Sequence, residues 1–269
     1  MERQELIRKL NAILLEESPQ LREETGRFPD GEGSQRQLLR ALMNLRPPLP
    51  LRRDFLVWQD ELLSMEREAR GVVDAMELPG GRVVLWRGDI TRLRVDAIVN
   101  AANSALLGCF HPCHDCIDNV IHSAAGLQLR EECNRIMAAQ GYEEPVGQAK
   151  LTGAYQLPCR YILHTVGPTI RGEVTQEDCE SLASCYRSCL ELAVRHGLRS
   201  IAFCCISTGV FHFPNQLAAE IATETVAEFL RQNRSIERVV FDVYAEQDEG
   251  IYRKILQKRR GQFGFGQFE

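Results

Sequence analysis

The chain has 269 residues, enough for one large domain or two modest ones, and its 44% hydrophobic and 26% charged content is that of an ordinary globular protein. A formal net charge of −5 argues against nucleic acid as the main partner, because a phosphate backbone is bound by a basic face. No apolar run reaches transmembrane length, and the charged start Met1–Glu5 does not resemble a secretory signal. We therefore expect neither a nucleic-acid nor a membrane partner.

The ten cysteines raise the question of a disulfide scaffold. Several of them lie inside apolar runs, with Cys185 and Cys189 on a helical pattern and Cys204 and Cys205 on a strand pattern. In such places free cysteine packs as a small hydrophobic side chain. Since no leader segment is evident, we expect a reducing, cytoplasmic location.

Residues 1–73 carry a helical pattern. Apolar residues recur at helical spacing between Leu6 and Leu14 and between Leu38 and Leu45, and a third helix is predicted over Phe55–Ala69. No group of side chains here indicates chemistry. We predict an N-terminal helical extension that packs on the main domain, with a docking surface for a partner protein as the alternative.

From residue 74 onward strands alternate with helices. We predict strands over 82–87, 95–99, 159–165, 200–206 and 238–244, and helices over 117–139, 177–196, 216–231 and 250–259. This alternation predicts an α/β fold with a sheet between layers of helices and functional loops at the carboxyl ends of the strands. The segment 261–269, rich in Gly, Gln and Phe, is predicted to be a flexible tail.

A polar elbow, Asn100–Asn103, follows the apolar strand 95–99 and leads into a segment rich in metal ligands. That segment contains Cys109, His111, Cys113, His114 and Cys116. One set of three ligands is Cys109, His114 and Cys116, with His111 and Cys113 as competitors. Three protein ligands leave a coordination position open, which indicates a catalytic site, whereas a structural zinc that staples the loop is the alternative.

Two further positions are candidates for ligand contact. Asp89 directly follows a strand, where an acidic residue serves either as a turn cap or as a ligand contact. The loop Ser207–Phe211 joins a strand predicted to be buried on both faces to a helix. Its small residues let consecutive backbone N–H groups point to one spot, which predicts a phosphate site.

Five motifs in fixed order resemble the macrodomain family, the ADP-ribose-binding α/β/α module: G-D-I-T at 88–91, V-D-A-I-V-N-A-A-N at 95–103, D-N-V-I-H-S-A-A-G at 118–126, Y-I-L-H-T-V-G-P at 161–168 and I-S-T-G-V-F at 206–211. The resemblance covers residues 74–260 and implies a three-layer α/β/α fold with a central mixed sheet. Many macrodomains have a glycine-rich stretch where this chain has residues 108–116. The longer segment resembles that of the zinc-dependent subgroup, which also tends to carry an N-terminal helical extension.

The resemblance implies a role for each matching residue. Asp89 and the N–H of Ile90 would contact the adenine, and Tyr244 would pack against the adenosine. Asn103 would contact the distal ribose, and Asp118 matches the acidic residue that catalytic members use near the scissile bond. The diphosphate would be wrapped by Ser207, Thr208, Gly209, Val210 and Phe211. The ligand spacing of the subgroup selects Cys109, His114 and Cys116 for one zinc ion, so neither His111 nor Cys113 should be required.

The activity that this resemblance implies is zinc-dependent removal of mono-ADP-ribose from modified, acidic protein side chains. The subgroup is associated with a sirtuin-type transferase, and a lipoyl-carrier-type protein is the substrate class so implied. Three alternatives remain: a module that only binds ADP-ribose, a deacetylase of O-acetyl-ADP-ribose, and an interaction protein with a structural zinc.

Overall fold

The computed structural model describes residues 1–259, apart from the side chains of residues 23 and 24. The predicted tail, 261–269, lies outside the described residues. The extension consists of α1 (Arg3–Glu17), a 3₁₀ helix (Pro19–Arg27), α2 (Glu32–Leu45) and α3 (Arg53–Arg70). Apolar side chains at helical spacing turn inward and form a separate hydrophobic core. Leu127 of the main domain belongs to this core, so the helices pack against the rest of the chain.

A six-stranded sheet forms the centre of the main domain, and a short parallel pair, β1 (Val73–Asp74) and β3 (Leu93–Arg94), lies apart from it. The strands of the sheet are β2 (Val83–Arg87), β4 (Ala97–Ala102), β5 (Ala149–Gly153), β6 (Tyr161–Val166), β7 (Ser200–Phe203) and β8 (Arg238–Val243). Their order is β2-β8-β7-β4-β6-β5, and only β5 pairs antiparallel with its neighbour. The central strands β4 and β7 are almost entirely buried, as expected for strands covered on both faces.

Helices cover this sheet in two groups. The helices are α4 (Ile117–Ala125), α5 (Leu127–Gln140), α6 (Gln176–Arg195), α7 (Asn215–Gln232) and α8 (Glu246–Lys258). The first two pack against each other and against β4 and β5, whereas α6, α7 and α8 pack in series. The predicted three-layer α/β/α fold with a mixed sheet is confirmed. No helix within residues 1–259 has the length and apolarity needed to cross a bilayer.

The long helix predicted over 117–139 is two helices, because the chain breaks at Gly126. Its φ of 98° is a backbone conformation that side-chain-bearing residues rarely adopt. Gln59 of the extension occupies the space where a Cβ would lie, 2.6 Å away. The break therefore lets α3 approach the junction of α4 and α5 closely, an arrangement that helical periodicity does not reveal.

Strand boundaries also differ from the prediction. The strand predicted over 200–206 ends at Phe203, and residues 204–206 lead into a turn. The strand at 95–99 begins later and continues to Ala102, so Asn100 lies inside the sheet instead of in an elbow. The strand β5 has no counterpart in the prediction. Its polar and apolar residues give no clean alternation, and its position is decided by pairing with β6.

Candidate functional site

Five neighbouring strands of the sheet are parallel, so their carboxyl ends open on one edge. In open α/β sheets this edge is where ligands bind. Asp89 follows β2, Tyr244 follows β8, Ser207 comes after β7 and Asn103 follows β4. The strand order therefore places Asp89 and Tyr244 at one end of the edge, the Ser207 loop in the middle and Asn103 at the other end.

Asp89 is both a turn cap and a charged group at the first end of this edge. Its Oδ1 accepts hydrogen bonds from the Thr91 N–H at 2.9 Å and from Thr91 Oγ1 at 2.6 Å. Its Oδ2 pairs with Arg70 Nη1 of α3 at 3.1 Å. The neighbouring Ile90 side chain is buried, whereas Tyr244 is 86% exposed. The tyrosine ring is therefore available to a ligand.

Asp242, a buried carboxyl on β8, lies near Asp89 and was not predicted. Its Oδ1 has no hydrogen-bond partner within residues 1–259. The Gly88 N–H donates to the carbonyl of Val243 at 3.1 Å, which brings the Asp89 turn beside the end of β8. Burial raises the pKa of Asp242 well above its ordinary value, and the charge of Asp89 adds to this shift. Both effects favour the protonated form of Asp242 over the carboxylate.

The Ser207–Phe211 loop is shaped by one unusual backbone conformation. Ser207 has a φ of 64° and a buried side chain whose Oγ finds no hydrogen-bond partner in the described part of the chain. Gly167 lies directly against that hydroxyl, and a Cβ at position 167 would collide with it. The Ile170 N–H donates to the carbonyl of Phe211 at 2.8 Å and ties the loop to the segment after β6.

The N–H groups of Gly209, Val210 and Phe211 donate to no acceptor in residues 1–259. The loop closes on itself through the His212 N–H, which donates to the carbonyl of Gly209 at 3.0 Å. Unused N–H groups on consecutive residues after a buried strand form a cradle for an anion.

Asn103 and Asp118 meet at the carboxyl end of β4. Asn103 Nδ2 donates to Asp118 Oδ2 at 3.2 Å and to the carbonyl of Gly108 at 3.1 Å. Asp118 lies in the first turn of α4 and is 5% exposed. Burial raises the pKa of this carboxyl to about 6. The pair thus places an amide and a carboxyl side by side.

A buried chain of polar groups supports Asp118 from inside the sheet. Asn100 Nδ2 donates to Asp118 Oδ1 at 2.8 Å and lies 3.1 Å from His164 Nδ1. Asn100 and His164 are register partners on β4 and β6. His164 Nε2 lies 2.9 Å from Thr152 Oγ1 on β5. Burial lowers the pKa of His164 to about 3, so the ring is neutral and its Nδ1 accepts from Asn100.

The loop between β4 and α4 brings Cys109, His114 and Cys116 together. Their ligand atoms all lie within 4.8 Å of one another, and each residue is half-buried. Cys109 Sγ and His114 Nδ1 are 3.8 Å apart. Two ligands bonded at about 2.0–2.3 Å to one tetrahedral zinc ion are separated by about this distance. Two thiols and an imidazole are also the donors that zinc prefers, so this set fits the predicted ion.

The pKa of the Cys116 thiol is shifted in this loop. Burial and, to a smaller extent, the facing Cys109 raise the pKa of Cys116 to about 12. Without a cation, the pocket thus disfavours the thiolate form that a metal would stabilise.

The competing ligands His111 and Cys113 lie outside this group. The ring of His111 is exposed and lies 5.2 Å from the ring of His114. Cys113 Sγ donates to the carbonyl of Gln37 on α2 at 3.4 Å. Neither side chain belongs to the group formed by the other three ligands.

His122, Cys133 and His164 form a second group with ligand atoms within 4.8 Å of one another, and sequence reasoning missed it. All three residues are buried. Both ring nitrogens of His164 already have polar partners, Asn100 and Thr152, and burial raises the pKa of Cys133 far above its ordinary value. A metal requires a free imidazole nitrogen and a thiolate. His164 and Cys133 therefore do not offer free ligand atoms, whereas both ring nitrogens of His122 have no hydrogen-bond partner within residues 1–259.

Comparison with known proteins identifies the fold and its relatives. The Macro domain family matches residues 99–222. A protein of Treponema medium named "Protein-ADP-ribose hydrolase" is 52% identical over 235 residues, which cover 85% of this chain and 90% of that protein. The chain belongs to the macrodomain family. The aligned length exceeds that of residues 74–260, so the likeness extends beyond the macrodomain into the N-terminal helices.

Two further relatives add to this comparison. A Fusarium oxysporum protein named "Probable bifunctional ADP-ribose hydrolase/ADP-ribosyltransferase" is 42% identical over 241 residues, 81% of this chain and 40% of that protein. A single-site mutant of the Oceanobacillus iheyensis macrodomain, solved with ADPR, superposes with a TM-score of 0.59 at 40% identity. That match covers 65% of this chain and 90% of the other.

The macrodomain places the predicted residues along one edge of the sheet, with the adenine candidates at one end and the metal group at the other. Sequence reasoning missed the groups behind the site, namely Asn100, His164 and Asp242. Asn100 belongs to the motif V-D-A-I-V-N-A-A-N at 95–103, and the signal for it was a polar residue that directly follows an apolar run. For Asp242, the signal was a charged residue inside the strand 238–244.

Proposed function

We propose that this macrodomain is a zinc-dependent hydrolase that removes mono-ADP-ribose from modified protein side chains. The observation that carries the proposal is the direct contact of Asn103 with Asp118, at 3.2 Å, at the end of the β4 strand whose following loop holds the three-ligand group. A module that only binds ADP-ribose needs the adenine and phosphate contacts alone. The names of the relatives from Treponema and Fusarium support a hydrolase.

The proposed binding mode follows the strand order. Asp89 accepts a hydrogen bond from the adenine amino group, the Ile90 N–H donates to the base, and Tyr244 packs against the adenosine. The diphosphate lies on the loop of Ser207, Thr208, Gly209, Val210 and Phe211, whose free N–H groups support an anion there. The distal ribose then reaches Asn103, which holds it in register.

In the proposed reaction, water attacks C1″ of the distal ribose. The oxygen of water forms a bond to C1″ while the bond from C1″ to the side-chain carboxylate oxygen breaks. Asp118 orients the water and takes its proton, which ends on the departing carboxylate. Cys109, His114 and Cys116 would hold zinc, which supplies Lewis acidity towards an oxygen of the substrate. That the modified side chain is acidic, so that ADP-ribose is attached through a carboxylate ester, is likewise proposed.

We also propose the biological setting and domain division. Residues 74–260 are the unit that binds and hydrolyses, and residues 1–73 are its helical extension. A lipoyl-carrier-type protein modified by a sirtuin-type transferase is the proposed substrate. The Fusarium relative, named as both a hydrolase and a transferase, supports a link to such a transferase. The ten cysteines, all within the described residues and all free thiols, support a cytoplasmic location.

The alternative function is an ADP-ribose reader or O-acetyl-ADP-ribose deacetylase in which the zinc is structural. Cys109, His114 and Cys116 are all half-buried, which is compatible with a structural zinc ion that only stabilises the loop. In that case, loss of a ligand would impair the fold and ADP-ribose affinity along with turnover.

The test joins metal analysis to a hydrolysis assay on protein mono-ADP-ribosylated at an acidic side chain. About one zinc per chain and chelator-sensitive release of ADP-ribose are expected. Cys116→Ser and His114→Ala should abolish release while sparing ADP-ribose affinity, and His111→Ala is the matched control that keeps activity. Zinc present and ADP-ribose bound, with nothing released, would support the reader. Release of acetate from O-acetyl-ADP-ribose alone would support the deacetylase.

A further inference from the structure

Helix α2 of the extension lies against the loop that carries Cys109, His114 and Cys116. Arg40 joins the two: its Nη2 donates to the carbonyl of His114 at 2.7 Å. Its Nε and Nη2 also donate to Asn119 Oδ1 at 3.2 and 2.9 Å. A single planar guanidinium thus binds two acceptors on either side of Cys116, which suits its fork of donors.

Asn119 carries this contact to the first half of the loop. The residue is fully buried in the first turn of α4, which begins after Cys116. Its Nδ2 donates to the carbonyl of His111 at 2.9 Å and lies 3.5 Å from that of Cys109. Arg40 and Asn119 together therefore hold the backbone around all three metal ligands.

Asn44, one turn further along α2, holds the middle of the loop. It is 1% exposed, its Oδ1 accepts from the Cys113 N–H at 2.9 Å, and its Nδ2 donates to Ser123 Oγ at 3.1 Å. Cys113 has a φ of 53°, which non-glycine residues rarely adopt. Contacts from α2 thus stabilise a loop conformation that is unfavourable on its own.

Arg130 of α5 fastens the end of α2 to the base of the same loop. Its Nη1 donates to the carbonyls of Met43 and Asn44 at 2.9 Å, and its Nε donates to that of Leu107 at 2.7 Å. Its guanidinium stacks on Phe110, 4.3 Å from the ring centre. A buried cation at the C-terminal end of a helix also meets carbonyls that lack helical partners.

We propose that α2 is a wall of the metal site and that Arg40 and Asn44 are positioning residues that set the affinity for zinc. The inference rests on the three-ligand site of the proposed function. Without α2, the loop between β4 and α4 would become ordered only when the metal binds. That ordering costs conformational entropy. With α2 in place the ligands are ordered beforehand. The extension therefore supports the metal site of the 74–260 unit from outside it.

The test measures zinc affinity of the full chain by competition with a chromogenic chelator, for Arg40→Ala, Arg40→Lys, Asn44→Ala and Arg36→Ala. Arg36 is the matched control, because it lies on the same helix and pairs with Glu66 at 2.7 Å inside the extension. Loss of Arg40 should weaken zinc binding by about 10- to 100-fold, the range seen for groups that orient metal ligands. ADP-ribose affinity and the midpoint of thermal unfolding should stay close to those of the Arg36 variant.

Arg40→Lys keeps the positive charge but lacks the several N–H donors of the guanidinium, so it should also weaken zinc binding. If Arg40→Ala fails to fold, Arg40→Lys is compared with Arg36→Ala instead. Unchanged zinc affinity in folded Arg40 and Asn44 variants would overturn the inference, even if the wild-type chain binds zinc and hydrolyses its substrate. An equal loss in Arg36→Ala would also overturn it, since the effect would then be general loosening of the extension. If the wild-type chain binds no zinc, both this inference and the zinc dependence of the proposed function are contradicted.

Discussion

The amide of Asn100 donates a hydrogen bond of 2.8 Å to the carboxylate of Asp118, although 18 residues separate the two in sequence. The other hydrogen of that amide points to His164 Nδ1 at 3.1 Å. One buried side chain on the central strand thus links the carboxyl at the open edge to a ring on the neighbouring strand. The orientation of Asp118 thus depends on a group inside the sheet as well as on Asn103 at the open edge.

Replacement of Asn100 by Leu, a side chain of similar shape without hydrogen-bonding groups, should lower kcat by about 10- to 100-fold, because a small misplacement of Asp118 is costly in the transition state. ADP-ribose affinity, measured by calorimetry, should change little. Thr152→Val is the control, since it breaks only the contact of His164 with β5 at 2.9 Å. Normal kcat in a folded Asn100→Leu variant would contradict this role.

Gly167→Ala should weaken ADP-ribose binding without affecting zinc content. The new Cβ would collide with Ser207 Oγ and lie 2.9 Å from Ile206 Cγ2, so the Ser207–Phe211 loop has to move. We expect a loss of about tenfold in affinity, equivalent to about 1.4 kcal/mol, by calorimetry. Gly172→Ala in the same connection is the control, because that Cβ meets open space. Equal affinities for the two variants would show that the loop does not depend on this close approach.

Gly126→Ala should destabilise the chain by about 1–3 kcal/mol in urea unfolding, because it combines a strained φ with a collision. The colliding side chain, Gln59, is not free to move: its Oε1 accepts from the Leu127 N–H at 2.9 Å. Gly141→Ala is the control, since Gly141 has a φ of 79° but no atom within 4 Å of a Cβ. If Gly126→Ala lowers the free energy of unfolding no more than Gly141→Ala does, the contact of Gly126 with α3 contributes nothing to stability.

Glu66 should make the extension sensitive to acid. Burial alone would raise its pKa, but hydrogen bonds and charges of Arg36 and Arg3 outweigh this and hold the pKa below its ordinary value. A carboxyl with a lowered folded-state pKa contributes stability above its unfolded pKa, and this is lost as pH falls through the folded pKa. Glu66→Gln should thus cost stability at pH 7 and progressively less as the pH falls below the ordinary range of glutamate.

Urea unfolding at several pH values measures this effect, with Glu68→Gln at an exposed position of α3 as the control. A Glu66→Gln destabilisation that stays constant with pH would indicate lost packing instead of lost ion pairs.

The local sequence pattern was enough to predict most of the helices and strands and the spacing of the candidate metal ligands. Alternating strands and helices, the three helices of the extension and the spacing of Cys109, His114 and Cys116 all follow from residues close together in sequence. The three ligands meet because a single short loop contains them. The same holds for the Ser207–Phe211 loop, where a buried strand ends and a helix follows.

Tertiary structure alone decided which distant groups surround those residues. Arg40 reaches His114 across 74 positions, and Asn100 meets His164 across 64. These contacts depend on how helices dock and which strands become neighbours, and sequence periodicity carries no information on either. The close approach of Gln59, on another helix, to the break at Gly126 has the same origin. The sequence by itself thus indicated most of the side chains that lie at the open edge, whereas packing decided which buried groups hold them in place.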